Sequence, residues 1–454
     1  MSTKPRTRTV IFRVLAGLVV LGVAYVGISR YSDSLPRLDY AMAEPAVESA
    51  GYPETRFAVM SDLHYYDTSL GTSGEAFEEV LGSDRKLLQD TADLLALAID
   101  DVLASGVDFV LVPGDLTKDG EVVNHDAVSA ALGRLSDAGV EVYVVPGNHD
   151  ANNPEAFQFS GAEKIPVPAV SQEEFAEVYR DFGYGEALTR DETSLSYVAE
   201  PVDGLWILAL DSTRSDENEP GGEEVTGGAF TQAQVDWIEE VLQDARAEGA
   251  TVIGMMHHGV VEHWDGQAKL HPEYLVEDYP WVGELLASYG VRAVFTGHYH
   301  AQDIAFADYG DSGFLYDIET GSLATAPCPI RYCELSGSEL AVRSETIVDR
   351  LKPGTDFGEE ARAFVLATIA SEAYDVSRGY NVAEDQSRYI ADHVAPAFVA
   401  HYEGDEDLSA KPAIDNSKLD LWGRFIWSQQ RYVADGLWAD PEPADNDVVL
   451  PLTE

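Results

Sequence analysis

Residues 140–150 read VEVYVVPGNHD, so a run of apolar and β-branched side chains leads directly into Asn148, His149 and Asp150. A run of this length and composition predicts a strand that is buried on both faces. Four further runs of the same kind occupy residues 57–60, 109–112, 252–256 and 291–295. They lead into SDLH, PGD, HHG and TGHYH, in that order. Each of these predicted strands therefore ends at carboxylate, amide or imidazole side chains.

Segments with helical spacing separate the predicted strands. They cover residues 84–105, 125–138, 171–182, 231–247 and 281–289, and a sixth strand is predicted at 205–210. Strands that alternate with helices indicate an α/β layered domain. In open α/β sheets, the carboxyl ends of parallel strands share one edge, where ligands bind. We therefore expect the polar clusters to meet in space although they are far apart in sequence.

The chain divides into four predicted regions. Residues 1–30 form a signal anchor or signal peptide, and residues 31–54 form a tether that contains three prolines. Residues 55–349 form the α/β domain, and residues 350–454 a helical C-terminal domain. Three segments in this last region repeat aromatic and aliphatic residues at helical spacing: 358–377, 384–402 and 416–437. No strand of comparable quality is expected there.

The N-terminal region carries basic residues and no acidic ones, followed by an apolar stretch at 14–28. That stretch is short for a bilayer span, which needs roughly 17–25 residues, but residues 10–12 extend it if Arg13 reaches the headgroups. We expect an anchor in the cell membrane over residues 10–29 with its basic end in the cytoplasm. A cleaved signal peptide, with a small-x-small site at 41–43, and a buried N-terminal helix are the alternatives. The first two place the remaining chain outside the cytoplasm, either anchored or secreted.

The charge and the cysteine content exclude several classes of protein. Acidic residues number 80 against 29 basic ones, for a formal net charge of −51. Such a field repels nucleic-acid backbones, so long nucleic acids are not expected as partners. Two cysteines, Cys328 and Cys333, exclude a disulfide-rich scaffold and a cysteine-built zinc cluster. A disulfide between them and a pair of free buried thiols both remain open.

The ordered set DxH, GD, GNHD, H and GHxH resembles the calcineurin-like metallophosphoesterases over roughly residues 56–345. The resemblance implies a four-layer αββα sandwich with two divalent metal ions, which makes residues 55–349 the catalytic domain. It implies that the first metal is bound by Asp62, His64 and His300. It implies that Asp115 bridges both metals and that the second is bound by Asn148, His257 and His298. In the adjacent pair His257-His258, we assign His257 as the metal ligand and His258 as a residue that supports the site from behind the ligands.

These residue types suit the implied chemistry. Imidazole nitrogen and carboxylate oxygen together favour borderline divalent metals such as Mn²⁺, Fe²⁺ or Zn²⁺. The implied mechanism is in-line attack on phosphorus by a metal-bridging hydroxide. His149 is the candidate catalytic residue that donates a proton toward the leaving oxygen. Asp150 either orients His149 or caps a helix. Gly114, Gly147 and Gly297 are expected to allow tight turns beside the metals.

A closer resemblance bears on the substrate. The segments YYDTSLGTSGEAF, GDLTKDGEVVNH, PGNHDANNPEA, DFGYGEA and SLSY are similar to the extracytoplasmic cyclic-nucleotide phosphodiesterases of Gram-positive bacteria, which also carry a C-terminal helical domain. This resemblance implies cleavage of a cyclic nucleotide or a related small phosphodiester. The alternative enzyme is a broad-specificity phosphomonoesterase and phosphodiesterase acting on envelope phosphoesters or scavenged nucleotides. A non-catalytic binding protein would usually lack a ligand or His149, and none is missing.

Other polar and aromatic residues are candidates for the pocket. Tyr65 can stack on a base or pack against the sheet. Asn124 and His125 follow the predicted bridging carboxylate and can contact phosphate. His263 and His271 lie in the segment after His257, and we interpret both as solvated loop histidines.

Overall fold

The computed structural model describes residues 38–43, 51–439 and 441–453. The predicted membrane anchor at residues 10–29 lies outside the described residues. Among the helices that are described, none is both long and apolar enough to cross a membrane. The described residues from Tyr40 onward form one compact unit.

The first of two large sheets has six strands in the order β15-β14-β13-β1-β2-β3. Its strands are β1 (Tyr52–Val59), β2 (Phe109–Val112), β3 (Glu141–Val144), β13 (Pro329–Gly337), β14 (Glu339–Thr346) and β15 (Asp447–Pro451). Strands β1, β2 and β3 run parallel, and the other neighbouring strands pair antiparallel. The polar clusters after β1, β2 and β3 therefore leave the sheet at one edge.

The second sheet has seven strands in the order β11-β12-β10-β9-β8-β7-β6. Its strands are β6 (Thr189–Arg190), β7 (Tyr197–Val202), β8 (Leu205–Leu210), β9 (Thr251–Met256), β10 (Ala293–Thr296), β11 (Asp303–Asp308) and β12 (Phe314–Glu319). Strands β8, β9, β10 and β12 are parallel. A separate hairpin consists of β4 (Phe157–Ser160) and β5 (Glu163–Pro166).

Helices cover the outer faces of both sheets. In the α/β part they are α1 (Glu75–Ser83), α2 (Thr91–Ser105), α3 (Val122–Asp137), α4 (Gln172–Val178), α5 (Gln232–Glu248), α6 (Gln267–Leu270), α7 (Tyr279–Ser288) and α8 (Val348–Leu351). Helix α3 contacts β3 of the first sheet, whereas α5 contacts β9 and α7 contacts β12 of the second. This order of helix, sheet, sheet and helix is the layered α/β architecture that the sequence predicts.

The two sheets bury one apolar core between them. The ring of Phe57 in β1 stacks on Phe109 of β2 at a centroid distance of 4.8 Å. The same ring meets Phe295 of β10 edge-on at 5.2 Å, and all three side chains are fully buried. Because Phe57 and Phe295 belong to different sheets, this contact helps to set how the sheets face each other. Cys328 and Cys333 are free buried thiols.

The C-terminal region is helical, as the sequence predicts, with α9 (Phe357–Gly379), α10 (Glu384–Glu403) and α11 (Leu421–Leu437). The region is not helical throughout, because β15 pairs antiparallel with β14 and places Leu450 opposite Leu340. The apolar run in β15 is only three residues long, too short for a clear periodic signal. It becomes a strand because the open edge of the first sheet supplies hydrogen-bonding partners.

The aromatic contact between the sheets predicts a large stability effect. Replacing Phe57 by Ala removes a fully buried ring and leaves a cavity, which costs about 3–5 kcal/mol. Denaturant unfolding followed by tryptophan fluorescence measures the loss. The matched control is Phe425→Ala in α11, where the side chain is 46% exposed and the expected cost is below about 1 kcal/mol. Equal losses in the two variants would contradict the central position of Phe57.

Candidate dinuclear metal centre

The polar clusters that end β1, β2, β3, β9 and β10 meet at one edge of the sandwich. Two groups of side chains each place one ligand atom per residue within 4.8 Å of the others. The first group is Asp62, His64, Asp115 and His300, and the second is Asp115, His257 and His298. Asp115 belongs to both groups, which is the arrangement that a bridging carboxylate requires.

The carboxylate of Asp115 lies at the middle of this arrangement. Its Oδ2 atom is 3.4 Å from Nε2 of His64 and 3.4 Å from Nε2 of His257. Its Oδ1 atom accepts a hydrogen bond from the backbone N–H of His149 at 3.1 Å. Burial alone would raise the pKa of Asp115, but the imidazoles of His257, His149 and His64 hold it well below its ordinary value. The carboxylate is therefore ionised and can hold cations.

The residues predicted for the first metal surround one small space. Oδ1 of Asp62 is 3.4 Å from Nε2 of His300 and 3.9 Å from Nε2 of His64. The two Nε2 atoms are 3.1 Å apart. The other oxygen of Asp62 accepts a hydrogen bond from Ser61 Oγ at 2.6 Å, and the backbone N–H of His298 donates to the same carboxylate. These bonds hold Asp62 in position.

The residues predicted for the second metal are oriented by hydrogen bonds on their far sides. Nδ1 of His257 lies 2.9 Å from the carbonyl oxygen of Pro113, so Nε2 faces Asp115 and lies 3.0 Å from Oδ1 of Asn148. The amide nitrogen of Asn148 donates to Glu224, which turns its oxygen toward the centre. Nε2 of His298 is 3.3 Å from the carbonyl oxygen of Glu273. Nδ1 is therefore the nitrogen that His298 has left for a cation.

The donor set fits two divalent ions. It consists of two carboxylates, one amide oxygen and four imidazoles, all at least largely buried. The close pairs His64–His300 and His257–Asn148 bring together atoms that both act as acceptors unless an imidazole nitrogen is protonated. A shared cation satisfies both atoms of such a pair. Mixed nitrogen and oxygen ligands of this kind suit Mn²⁺, Fe²⁺ and Zn²⁺.

Five of the seven predicted ligands have left-handed backbone conformations. Their φ angles are 51° at Asp62, 39° at His64, 50° at Asp115, 76° at His298 and 68° at His300. For residues other than glycine this conformation is uncommon and costs on the order of 1–3 kcal/mol each. The sharp turns let a strand end and its side chain reverse toward the centre within one or two residues. Such strain persists only where the surrounding structure enforces it.

The predicted glycines allow these turns to approach one another. At Gly114, where φ is 100°, an added Cβ would lie 2.5 Å from Nδ1 of His257. At Gly147 it would lie 2.7 Å from Cγ of Asp115. Contacts this short do not occur in folded proteins, so only glycine fits. Gly297 is similarly enclosed by the side chains of Ser61 and Asp62.

His149, the predicted proton donor, stands beside the centre. Its Nδ1 atom is 2.9 Å from Asp119 Oδ1 and 3.2 Å from Glu224 Oε2. Its Nε2 atom points the other way and lies 3.9 Å from Oδ2 of Asp115. Burial alone would lower the pKa of His149, but Glu224, Asp115 and Asp119 raise it to about 10. Asp119 and Glu224 thus hold the imidazole through Nδ1, and Nε2 is directed toward the metal ligands.

Asp150 does not orient His149, and this alternative in the sequence analysis is wrong. Its two oxygens accept hydrogen bonds from the backbone N–H groups of Leu116, Thr117 and Gly147 at 2.9–3.0 Å. It therefore joins the turn after β2 to the turn after β3 and fixes the relative positions of Asp115 and Asn148. It is not a helix cap either, since its partners come from two loops.

His258 lies behind the predicted ligands, as we expected when His257 was assigned as the ligand. Its Nδ1 and Nε2 atoms are occupied by Ser212 Oγ at 2.8 Å and the carbonyl oxygen of Thr226 at 2.9 Å. Its ring packs against His298 at a centroid distance of 4.5 Å. Burial, with the neighbouring His257, lowers the pKa of His258 to about 3. A neutral ring in this position supports the imidazoles that face the centre.

Three candidate pocket residues lie elsewhere. Asn124 is buried and bonds to the backbone N–H of Asp67 and to Glu121. His125 is buried between the hydroxyl of Tyr179 and the carbonyl oxygen of Asp150, both at 2.8 Å. The half-buried ring of Tyr65 packs against the main core. All three stabilise the loops around the centre and do not line its cavity.

The structure adds residues that sequence reasoning missed. A cavity of about 400 Å³ opens beside the centre, and Glu155, Glu223, Glu224 and Tyr274 line it together with four of the seven predicted ligands. Asp119 was visible within the quoted GDLTKDG segment, but no local pattern indicated its contact with His149. Glu224 lies in a glycine-rich loop remote from all five motifs, so no sequence pattern indicated its role.

The shared position of Asp115 predicts the metal content of a variant. Asp115→Asn removes the bridging charge, and we expect the purified protein to lose at least one of the two ions that this centre holds. Elemental analysis after gel filtration measures the ratio of metal to protein. Asp126→Asn on the exposed face of α3 is the matched control and should retain the parent ratio. An unchanged ratio in Asp115→Asn would contradict the bridging assignment.

Comparisons with known proteins agree with this geometry. A family model described as calcineurin-like phosphoesterase matches residues 55–302, which is 248 of the 454 residues. No curated protein matches the chain significantly.

Several solved structures are similar to this chain at low sequence identity. A dimetal phosphatase from Danio rerio shares 19% identity with a TM-score of 0.46, over 66% of this chain and 97% of the other. A putative 5′-nucleotidase from Staphylococcus aureus shares 13% with a TM-score of 0.38, over 69% and 58%. A purple acid phosphatase from yellow lupin (Lupinus luteus) seeds shares 12% with a TM-score of 0.39, over 66% and 52%. Because the family model spans more than half of the sequence and includes every predicted ligand, this chain belongs to the calcineurin-like phosphoesterases, a family of metal-dependent phosphoester hydrolases.

Proposed function

We propose that this phosphoester hydrolase acts on phosphodiesters and that small cyclic nucleotides are its substrate class. The observation that carries the preference for diesters is the charge of the cavity. Glu155, Glu223 and Glu224 line it beside the metal ligands. A phosphodiester brings one negative charge to these carboxylates, whereas a monoester dianion brings two. Repulsion therefore opposes a monoester more strongly than a diester.

The size of the cavity supports a small substrate. Its volume of about 400 Å³ is near the lower end of the range for small-molecule sites, about 300–1,000 Å³. The ring of Tyr274 forms part of its wall and offers a face on which a nucleobase can stack. The resemblance of the segments around the motifs to cyclic-nucleotide phosphodiesterases points to the same class.

The side chains divide the chemical work. The seven predicted ligands would hold two divalent ions that activate water and withdraw charge from the phosphoryl oxygens. These ligands are Asp62, His64, Asn148, His257, His298 and His300, with Asp115 between them. Asp119 and Glu224 hold Nδ1 of His149, so its Nε2 is free to donate a proton to the leaving oxygen.

Lys86 supplies positive charge near the same residues. Burial lowers the pKa of His64 well below its ordinary value, and the charge of Lys86 is the next largest contribution. Lys86 lies 3.8 Å from Asp84 and has 12% of its side chain exposed. We propose that this ammonium group offsets part of the repulsion between the acidic cavity and an anionic substrate.

The location outside the cytoplasm and the membrane anchor remain proposals that rest on the sequence of residues 1–30.

A substrate panel tests the proposed class. We expect kcat/KM for 3′,5′- or 2′,3′-cyclic nucleotides and for bis(p-nitrophenyl) phosphate to exceed that for p-nitrophenyl phosphate by at least about tenfold, a difference of about 1.4 kcal/mol. The measurement uses metal-stripped protein to which Mn²⁺, Fe²⁺ or Zn²⁺ is added back. A strong preference for the monoester would instead support the broad-specificity phosphomonoesterase. Activity on bis(p-nitrophenyl) phosphate without activity on cyclic nucleotides would retain the diester class and reject the nucleotide.

The proton-donor role of His149 predicts a dependence on the leaving group. In His149→Asn, kcat for a cyclic nucleotide should fall by about 10²–10⁴-fold, because its alkoxide leaving group needs a proton. The loss for bis(p-nitrophenyl) phosphate should be much smaller, since p-nitrophenolate leaves without one. Bound metal should be unchanged, and His393→Asn in α10 is the control. Equal losses on both substrates would show that His149 acts in another way.

A further inference from the structure

A second cluster of ionisable side chains is buried where the helical C-terminal region meets the second sheet. Asp303 is the first residue of β11, His401 lies in the last turn of α10, and Glu406 follows that helix. Their exposed fractions are 4%, 1% and 7%. His263, which we expected to be a solvated loop histidine, is 1% exposed and belongs to this cluster. That expectation is wrong because the segment after β9 is covered by the C-terminal helices.

The side chains in this cluster converge on a small volume. Nδ1 of His401 is 2.7 Å from Oε1 of Glu406 and 3.7 Å from Oδ2 of Asp303. The other oxygen of Asp303 is 2.5 Å from Nδ1 of His263. One ligand atom from each of Asp303, His401 and Glu406 lies within 4.8 Å of the other two. One ion bound at about 2.0–2.2 Å from each ligand needs only small side-chain adjustments to reach all three.

Several polar atoms in the cluster lack partners. Nε2 of His401, Oε2 of Glu406 and Nε2 of His263 are buried and have no hydrogen bond among the described residues. A buried polar atom without a partner costs about 1–3 kcal/mol, so three in one place require an explanation. Solvent cannot reach them readily, because all three side chains are almost fully covered. An ion held by both oxygens of Glu406 would supply a partner for Oε2, whereas Nε2 of His401 and Nε2 of His263 are the ring nitrogens that do not face Asp303.

The carboxylates around this cluster require balancing positive charge. Asp317 and Glu319 lie 3.4 Å and 3.6 Å from Nε2 of His263, so four carboxylates surround the two imidazoles. The nearby permanent cation is the buried guanidinium of Arg331, which donates to the backbone carbonyls of Glu319, Asp445 and Asp303. One positive charge does not balance four carboxylates in a buried site. The balance comes either from a divalent cation or from protons on the histidines and carboxylates.

We propose that Asp303, His401 and Glu406 bind a third divalent metal ion, separate from the dinuclear centre, with His263 supporting Asp303. Imidazole nitrogen combined with carboxylate oxygen suits Zn²⁺, and the burial of all three side chains keeps the site away from solvent, as a structural ion requires. The ion connects α10 to the first residue of β11. It therefore fastens the helical C-terminal region to the α/β domain.

This site also supports the segment that carries two ligands of the dinuclear centre. Asp303 follows His300 by three residues. The backbone N–H of Ala301 donates to Oε1 of Glu319 at 3.1 Å, and the ring of Tyr299 packs against His401 at a centroid distance of 5.8 Å. An ion on Asp303 and His401 thus helps to hold residues 298–303 in place. The C-terminal region gains a structural role in positioning His298 and His300.

Metal counting in a background without the bridging carboxylate tests this proposal independently of catalysis. Asp115→Asn and the double variant Asp115→Asn/Glu406→Gln are stripped with a chelator, titrated with Zn²⁺ in competition with a chromophoric chelator, and analysed after gel filtration. We expect the double variant to hold one equivalent fewer, through an affinity loss of at least about 100-fold. Added Zn²⁺ should raise the unfolding temperature of Asp115→Asn more than that of the double variant. Equal metal content and equal temperature shifts in the two proteins would overturn the proposal.

A second measurement covers the case in which the double variant does not fold. The parent full chain should bind three equivalents of Zn²⁺ and release protons as the third one binds, because the imidazole and carboxylate ligands must be deprotonated. A content of two equivalents would overturn the third site and assign the balancing charge to protons, while leaving the phosphodiesterase proposal intact. If the parent binds three equivalents of Zn²⁺ but does not hydrolyse cyclic nucleotides, the proposed substrate is rejected and the proposal of a third metal site still holds.

Discussion

The contact of one buried carboxylate with imidazoles from both sheets is the interaction on which the centre depends. Asp115 follows β2 in the first sheet and meets His64 from the same sheet and His257 from the second sheet at the same distance of 3.4 Å. A charge that is removed from water must be paired, so this carboxylate requires cationic partners. The two sheets bring the imidazoles that would bind such cations to Asp115 only in the relative position that the Phe57–Phe295 contact helps to set. Packing of the apolar core and assembly of the polar centre are therefore linked.

Several ligand residues of the centre have strained backbone conformations, which the rigid structure around them maintains. The left-handed turns at five predicted ligands are unfavourable locally, and the strands before them and the hydrogen bonds of Asp150 keep them in place. Glycine is required at 114 and 147 because neighbouring turns approach too closely for a Cβ atom. Strain of this kind prepares ligands before a cation arrives and reduces the reorganisation that binding requires. It also explains why the ligands sit directly at strand ends, where the backbone is most firmly held.

Charge acts at two ranges in this protein. The net charge of −51 repels other anions at long range, but it is screened beyond about 8–10 Å in physiological salt. In the proposed function, the glutamates that line the cavity act at shorter range, within the screening length, and so bear on which phosphoester binds. The buried cluster around Asp303 is also acidic, and because no solvent screens it, positive charge inside the fold must balance its carboxylates. Both acidic sites border the segment that carries His298 and His300.

The sequence by itself determined the positions of six strands with their polar ends, the layered α/β class, the helical C-terminal region and the set of predicted metal ligands. These features depend on neighbouring residues, namely periodic burial, turn-forming glycines and motifs that follow strands. Only the tertiary structure decided that Asp119 and Glu224 hold His149, that Asp150 joins two turns, that His263 is buried and that residues 447–451 complete a sheet. Each of these depends on segments distant in sequence, and no local pattern of side chains specifies which remote surface will cover them.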